Sequence, residues 1–144
     1  MEECHSDDVL QNPAADRLRQ FIRERRQKRD QRLPDFEAFE RELHEQIMAL
    51  ERELIAEELK RYDVDVEQVE VGDVVYHRAV TCSETYLCAA GPVAIERHLY
   101  RPAGRSTRSI CPLELRAGIV GGQFTPRAAR QATFVTAHLT CREG

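Results

Sequence analysis

The chain of 144 residues has no tryptophan and only two methionines, so a core can draw its large side chains from five Phe, four Tyr and the aliphatic residues. No apolar run approaches the roughly 18 to 20 residues that a membrane-spanning helix needs. The N-terminus, MEECHSDDVL, is acidic where a signal peptide would be basic. The sequence therefore predicts a soluble, cytoplasmic protein without a membrane partner.

Several chemical motifs are also missing. The five cysteines, at positions 4, 82, 88, 111 and 141, are odd in number and irregularly spaced, which argues against a disulfide framework. No CxxC or HxxxH pair is present, and the glycine pair at 121–122 lacks the lysine and the preceding strand of a phosphate-binding loop. We therefore predict no catalytic residue, no metal and no cofactor, hence a binding protein and not an enzyme. A small metal-binding regulator stays as a third hypothesis.

Charge is present in quantity and is strongly segregated, although the net charge is only -4. Residues 34–71 carry thirteen acidic and four basic side chains, whereas residues 72–144 carry nine basic and five acidic ones. Between Arg97 and Arg142 there are eight arginines and a single acid, Glu114. A locally basic segment of this kind is the electrostatic pattern expected of a nucleic-acid contact.

Residues 1–33 are predicted to form a polar and basic flexible arm that is partly helical, between Ala14 and Arg32. Few apolar side chains anchor this helix: Leu18, Phe21 and Ile22. Its basic end, from Arg23 onward, has no apolar residue with which to pack. The segment is either a solvated, partly frayed helix or a basic arm that lies on phosphates.

Residues 34–144 are predicted to form a single α+β domain that begins with a long acidic helix over 34–62. Apolar side chains recur there at steps of three and four residues: Phe36, Phe39, Leu43, Ile47, Leu50 and Leu54. Glutamates surround this apolar row. The pattern predicts a helix that packs on its own domain or pairs with a second copy through residues 36–59.

A small antiparallel sheet of about three strands is predicted over 64–101, where the apolar period changes to two. The strand VVYHRAVT is expected to end near Cys82, and TYLCA and VAIERHLYR are expected to form a hairpin around Ala90-Gly91-Pro92. In the second arm, Val93, Ile95 and Leu99 share one face and Tyr100 alternates to the other. The sheet then needs helices to cover its apolar face.

A helix-turn-helix-like pair is predicted over 112–140. Prolines at 112 and 126 suit first helical turns, and the glycine pair at 121–122 can adopt positive φ between the two helices. The second helix is expected to pack through an apolar stripe formed by Ala128, Ala132, Val135 and Leu139. The pair is interpreted either as a DNA-reading motif or as a structural αα-hairpin with solvated arginines.

The candidate DNA contacts are exposed basic or amide side chains of this C-terminal part: Arg101, Arg105, Arg108, Arg116, Arg127, Arg130 and Gln131. If four or five of the arginines met phosphates, log K would fall with log salt at a slope of roughly -4. Base reading would require Arg127, Arg130 or Gln131 to enter a groove.

Three strings, FERELHEQIMALERELIAEELKRYDVD, GPVAIERHLYRPAGRS and CPLELRAGIVGGQFTPRAARQATFVTAHLT, resemble the N-terminal region of bacterial insertion-sequence transposases of the ISKra type. The resemblance covers about residue 35 to the end, and its most specific part is TPRAARQA at 125–132. It implies binding to insertion-sequence ends. In that family a larger catalytic domain of RNase H-like fold follows, in which carboxylates hold two Mg²⁺ ions.

Two departures from the family qualify this resemblance. The chain ends at LTCREG, so it resembles a truncated or frameshifted transposase and is not expected to transfer strands by itself. The loop over 101–109 lacks the cysteines that some related proteins carry there. The first hypothesis is therefore a DNA-binding and assembly fragment of a transposase. The alternative is a helix-mediated interaction module, a homodimer or a docking partner of the full transposase, that does not bind DNA.

Overall fold

A computed structural model describes residues 12–28, 35–104 and 108–140, with the side chains of 139 and 140 excepted. These residues form four helices and one three-stranded antiparallel sheet, which confirms the α+β class. In chain order the elements are α1 (Pro13–Gln27), α2 (Phe36–Lys60), β1 (Gln68–Val71), β2 (Val74–Cys88), β3 (Gly91–Pro102), α3 (Pro112–Ala117) and α4 (Pro126–Thr140). The chain divides into two compact units, residues 1–53 and 54–144, with the boundary inside α2.

In the first unit, α1 begins at a buried asparagine. The Asn12 side-chain oxygen accepts hydrogen bonds from the backbone N–H groups of Ala14 (2.8 Å) and Ala15 (3.4 Å), and Pro13 occupies the first turn, where its missing N–H costs nothing. This helix, Pro13–Gln27, lies within the segment that was predicted to be partly helical. The rest of the predicted arm, residues 1–11 and 29–33, lies outside the described residues.

Aromatic and ionic contacts hold α1 against α2 within this unit. The rings of Phe21 and Phe39 stack with centroids 5.9 Å apart, and Arg17 pairs with Glu53 at 2.6 Å. The Arg25 guanidinium lies 4.7 Å from the centroid of the Phe39 ring. The expectation that the basic end of α1 has nothing to pack with is therefore wrong for Arg25, because α2 supplies an aromatic face for its cation.

The long helix predicted over 34–62 is confirmed as α2. Its apolar row is only partly covered: Phe36 is 67% exposed and Ile47 is 46% exposed, whereas Leu43 and Leu50 are half-buried. Among the described residues no helix, including this one, combines the length and the apolar character needed to span a membrane.

The sheet lies in the second unit, with β2 between β1 and β3. β2 is one continuous strand, so the predicted strand end near Cys82 is wrong. A bulge between Arg78 and Val80 shifts the pairing register, and with it the side-chain alternation, by one residue. The sheet face that holds the buried Tyr86 and Cys88 after the bulge therefore carries Val75 and His77 before it, and both of these are exposed.

The core of the second unit lies on one sheet face, against α3. Tyr86 of β2 pairs with Val93 of β3, and both are buried together with Ile95 and Leu113. The predicted inward orientation of Val93 and Ile95 is confirmed. This face buries a Tyr, two aliphatic strand residues and the Leu of a short helix, which is the layering expected of a small sheet covered by helices.

Tyr100 lies on the opposite face of β3, as predicted, and is nevertheless fully buried. The segment that follows α2 runs along the outer edge of β3 and covers it. The Tyr100 hydroxyl donates to the carbonyl oxygen of Val64 (2.7 Å) and accepts a hydrogen bond from the backbone N–H of Val66 (3.2 Å). The backbone of Tyr100 also exchanges two hydrogen bonds with Ile110. At Tyr100 the outer edge of β3 is therefore not open, because Ile110 pairs with its backbone there.

The connection between α3 and α4 is longer than a glycine pair. α3 ends at Ala117 because Gly118 adopts a left-handed conformation, with φ at 68°. Val120 and Phe124 then pair in a short antiparallel bridge, and the two glycines at 121 and 122 form its turn with φ of 60° and 68°. The predicted positive φ values are confirmed, whereas the helix-turn-helix arrangement is not.

Candidate nucleic-acid interface

The segment that leads directly into α4 is bonded to the end of β2. The backbone N–H of Leu87 donates to the carbonyl oxygen of Gln123 (2.8 Å), and the backbone N–H of Thr125 donates to the carbonyl oxygen of Leu87 (3.0 Å). α4 begins at Pro126, and Ala128 in its first turn is only 8% exposed, so this turn packs within the second unit. These contacts set the direction in which α4 leaves the sheet.

Beyond that first turn, every residue of α4 from Gln131 to His138 is exposed. The prediction that an apolar stripe of α4 packs is therefore wrong for Ala132 and for Val135, which is 54% exposed. The side chain of Leu139, the last member of that stripe, lies outside the described residues. Only Ala128 is buried, because only the first turn of the helix lies against the sheet.

One side of this exposed helix carries four chemically distinctive residues at positions i, i+4, i+7 and i+11, which we call the α4 stripe: Arg127, Gln131, Phe134 and His138. Arg130 lies beside the stripe, and α4 contains no acidic residue. The Phe134 ring is 64% exposed and meets the His138 ring edge to face, with centroids 4.1 Å apart. Phe134 is not among the residues predicted from the sequence, although the helical spacing that places His138 on the same side as Gln131 also places Phe134 there.

The α4 stripe can make three kinds of contact. Its arginine can donate to phosphate or guanine, its glutamine can bond an adenine edge, and its phenylalanine offers an apolar surface. The N-terminal end of a helix also carries a partial positive charge that favours anions. An α-helix with its side chains is about 10 to 12 Å wide, which matches the width of the major groove of B-form DNA.

A second basic group lies at the other end of the hairpin. Arg101, exposed near the end of β3, donates from Nε to the Ser109 hydroxyl (3.3 Å), which places it beside the exposed Arg108. Arg105 lies outside the described residues. Arg101 follows Pro92 by nine residues in β3, and Pro92 pairs with Leu87, to which the start of α4 is bonded. About 30 Å of strand therefore separates this second basic group from the start of α4.

Arg116, at the end of α3, is exposed and also makes a structural contact. Its guanidinium donates to the carbonyl oxygen of Tyr62 (3.0 Å) and lies 6.0 Å from the centroid of the Tyr62 ring. This arginine therefore links α3 to the chain that follows α2. The predicted interface is thus divided in the structure: Arg127, Arg130 and Gln131 share α4, Arg101 and Arg108 share the far end of β3, and Arg116 lies on α3.

Arg97, part of the basic segment in the sequence, faces the interior. Its side chain is 12% exposed and donates to Glu84 (2.8 Å), to the Tyr86 hydroxyl (2.8 Å) and to Glu114 of α3. Burial raises the pKa of the Tyr86 phenol above its ordinary value, which keeps its proton available for the hydrogen bond to Glu114 (3.0 Å). Arg97 and its partners therefore tie α3 to β2 and β3, and this arginine is not available to a phosphate.

A second polar cluster joins the edge of β3 to the segment after α2. His98 Nδ1 lies 2.6 Å from an Asp63 oxygen, and Nε2 lies 3.6 Å from an Asp65 oxygen. Across the sheet His98 is paired with Thr81, and His77 is paired with Arg101, so these two histidines do not lie opposite each other. Asp63 and Asp65 therefore serve as partners of His98, and their contacts hold the segment after α2 against β3.

The described cysteines, Cys82, Cys88 and Cys111, are free thiols. Burial raises the pKa of the Cys111 thiol, which makes it a poor nucleophile at neutral pH. Over residues 12–28, 35–104 and 108–140, no three His, Cys, Asp or Glu side chains are grouped as ligands for a metal ion.

Comparisons of this chain with protein-family models, with curated proteins and with solved structures gave no match. Function must therefore be inferred from the position, charge and exposure of the residues described above.

Proposed function

We propose that this protein binds double-stranded DNA through α4, as the DNA-binding and assembly portion of an insertion-sequence transposase, without strand-transfer activity of its own. One observation carries the proposal: α4 is fixed only at its first turn and is exposed from Gln131 to His138, with a basic and polar stripe and no acid. A helix held at one end and exposed beyond it can enter a groove without rearranging its own core.

In this proposal α4 lies in the major groove, where Gln131 reaches a base edge and Arg127 and Arg130 reach phosphates. α3 and the connection over 118–125 support it, as the first helix supports the second in a helix-turn-helix motif. Arg101 and Arg108 contact the DNA backbone farther along. Their distance from α4, about 30 Å, is close to the roughly 34 Å of one turn of B-form DNA.

The sequence resemblance gives the proposal its biological context. TPRAARQA, the string most similar to ISKra-type transposases, begins at Thr125 and ends at Ala132, so it coincides with the anchored start of α4. The target implied by that resemblance is the end of an insertion sequence. The absence of catalytic activity is likewise part of the proposal, because the described residues offer a binding surface and the resemblance covers only a non-catalytic region.

Fluorescence anisotropy with a labelled 20-base-pair duplex tests the proposal. Four phosphate contacts, from Arg101, Arg108, Arg127 and Arg130, predict a slope of log K against log salt of roughly -3.6 between 50 and 200 mM salt. Duplexes that carry insertion-sequence ends should bind more tightly than unrelated duplexes of equal length. A duplex that shows no change in anisotropy at 50 mM salt, with protein in the micromolar range, would contradict DNA binding altogether.

A second candidate function rests on α2. Phe36 and Ile47 are exposed on one side of the helix, and Glu40 and Glu51 lie in the same row, so this surface combines apolar and acidic side chains. It suits a protein partner or a second copy better than it suits DNA. Sedimentation velocity at 10 to 100 µM protein tests self-association: a dimer that Ile47→Glu converts to a monomer supports this candidate, and a monomer throughout that range removes the homodimer.

A further inference from the structure

The exposed Phe134 in the α4 stripe has no role in the fold of the described residues. Its ring is 64% exposed, on a helix side whose other members, Arg127, Gln131 and His138, are basic or polar. It is also held in place, because the His138 ring contacts it edge to face at 4.1 Å with the planes 86° apart. An apolar ring that is oriented before binding loses little conformational freedom when a partner covers it.

We infer that Phe134 reads the 5-methyl group of a thymine, so that the ligand of α4 is B-form duplex DNA with a T·A pair at a fixed position. This inference rests on the proposed function, and it names the residue through which α4 would distinguish one DNA sequence from another. The thymine methyl is the one apolar group on the major-groove edge of the bases, and phenylalanine is among the side chains that contact it. RNA lacks that methyl group, and its A-form major groove is too narrow for side chains to read.

Helix geometry places this contact relative to the other members of the α4 stripe. Phe134 follows Gln131 by three residues, which is about 4.5 Å along the helix, close to the 3.4 Å step between base pairs. When Gln131 bonds an adenine, Phe134 therefore reaches a neighbouring base pair. Arg127, four residues before Gln131, lies about 6 Å in the other direction, so the stripe covers a short run of adjacent base pairs.

The test uses a duplex selected from a random 30-base-pair library, which is then remade with deoxyuridine in place of thymidine at one position at a time. Deoxyuridine keeps the base pair and removes only the methyl group. Burial of a methyl group corresponds to about a fourfold change in affinity. We expect one or two deoxyuridine substitutions to weaken the wild-type protein by about fourfold each and to leave Phe134→Ala unaffected.

Leu115→Ala is the matched control, because Leu115 on α3 is an apolar residue with a similar exposure, 62%, and lies outside the α4 stripe. It should bind as the wild type does and keep the deoxyuridine effect. Phe134→Leu, which keeps an apolar side chain, should retain part of that effect. Circular dichroism should show the same helix content for all variants, because Phe134 and Leu115 are both exposed.

Three results would overturn the inference while leaving DNA binding in place: a wild-type protein indifferent to deoxyuridine at every position, a Phe134→Ala variant that stays as sensitive as the wild type, or tighter binding to the corresponding single strand. Tighter binding to an RNA duplex of the same sequence would also overturn it. If the library yields no bound duplex at 50 mM salt, the proposed function itself fails and the inference fails with it.

Discussion

Replacement of both Arg127 and Arg130 by alanine should weaken duplex binding by about 30-fold at 100 mM salt. Each arginine is exposed on the first turns of α4, where no acidic residue competes for its charge. A hydrogen bond to a charged group contributes at least about 1 kcal/mol, and two such contacts give about 2 kcal/mol, or roughly 30-fold. The slope of log K against log salt should also become shallower by about 2, because two phosphate contacts are lost.

Arg23→Ala with Arg26→Ala is the matched control, because it removes the same charge from two exposed arginines of α1. The change in net charge is identical, so a general electrostatic effect would appear equally in both double variants. We expect the α1 variant to lose no more than about twofold. If it loses as much affinity as the α4 variant, the basic part of α1 carries the phosphate contact and α4 does not.

Arg97→Met should lower the free energy of unfolding by about 3 kcal/mol. The substitution keeps an apolar stem but leaves Glu84 and Glu114 without the cation that bridges them. Loss of one partner of a buried ion pair costs 3 to 5 kcal/mol, and the lower end applies because Glu84 is 40% exposed. Urea denaturation followed by circular dichroism measures the change.

Arg78→Met provides the comparison, because Arg78 pairs with Asp65 at the surface, with side chains 39% and 67% exposed. It should cost less than about 1 kcal/mol. Addition of Glu84→Gln and Glu114→Gln to Arg97→Met should restore part of the stability, since neutral amides tolerate the loss of the cation. Equal losses for Arg97→Met and Arg78→Met would show that Arg97 does not hold α3 to the sheet.

The elements with local signals could be predicted from the sequence. The apolar steps of three and four residues identify α2, and Pro126 marks the start of α4. The continuity of β2 could not be predicted, because the bulge near Arg78 interrupts the alternation that would reveal it. The end of α3 was also missed, since Gly118 and not the following glycine pair stops the helix.

The candidate site was less predictable, because burial depends on where other elements lie. Arg97 resembles the other basic-segment arginines in sequence, yet its partners Glu84 and Glu114 lie 13 and 17 residues away and meet it only in the folded sheet. Val135 follows the spacing of a packed residue but extends past the sheet. In contrast, the α4 stripe follows from helical spacing alone, so that group of residues could be assembled before the fold was known.

NMR of the 16.6 kDa chain during titration with a 20-base-pair duplex shows residue by residue whether α4 is the element that contacts DNA. We expect the largest amide shift changes between Arg127 and His138, with smaller changes near Arg101 and Arg108. This expectation would be contradicted by duplex-induced changes concentrated in α1 or α2, or by a spectrum that the duplex leaves unchanged at 50 mM salt.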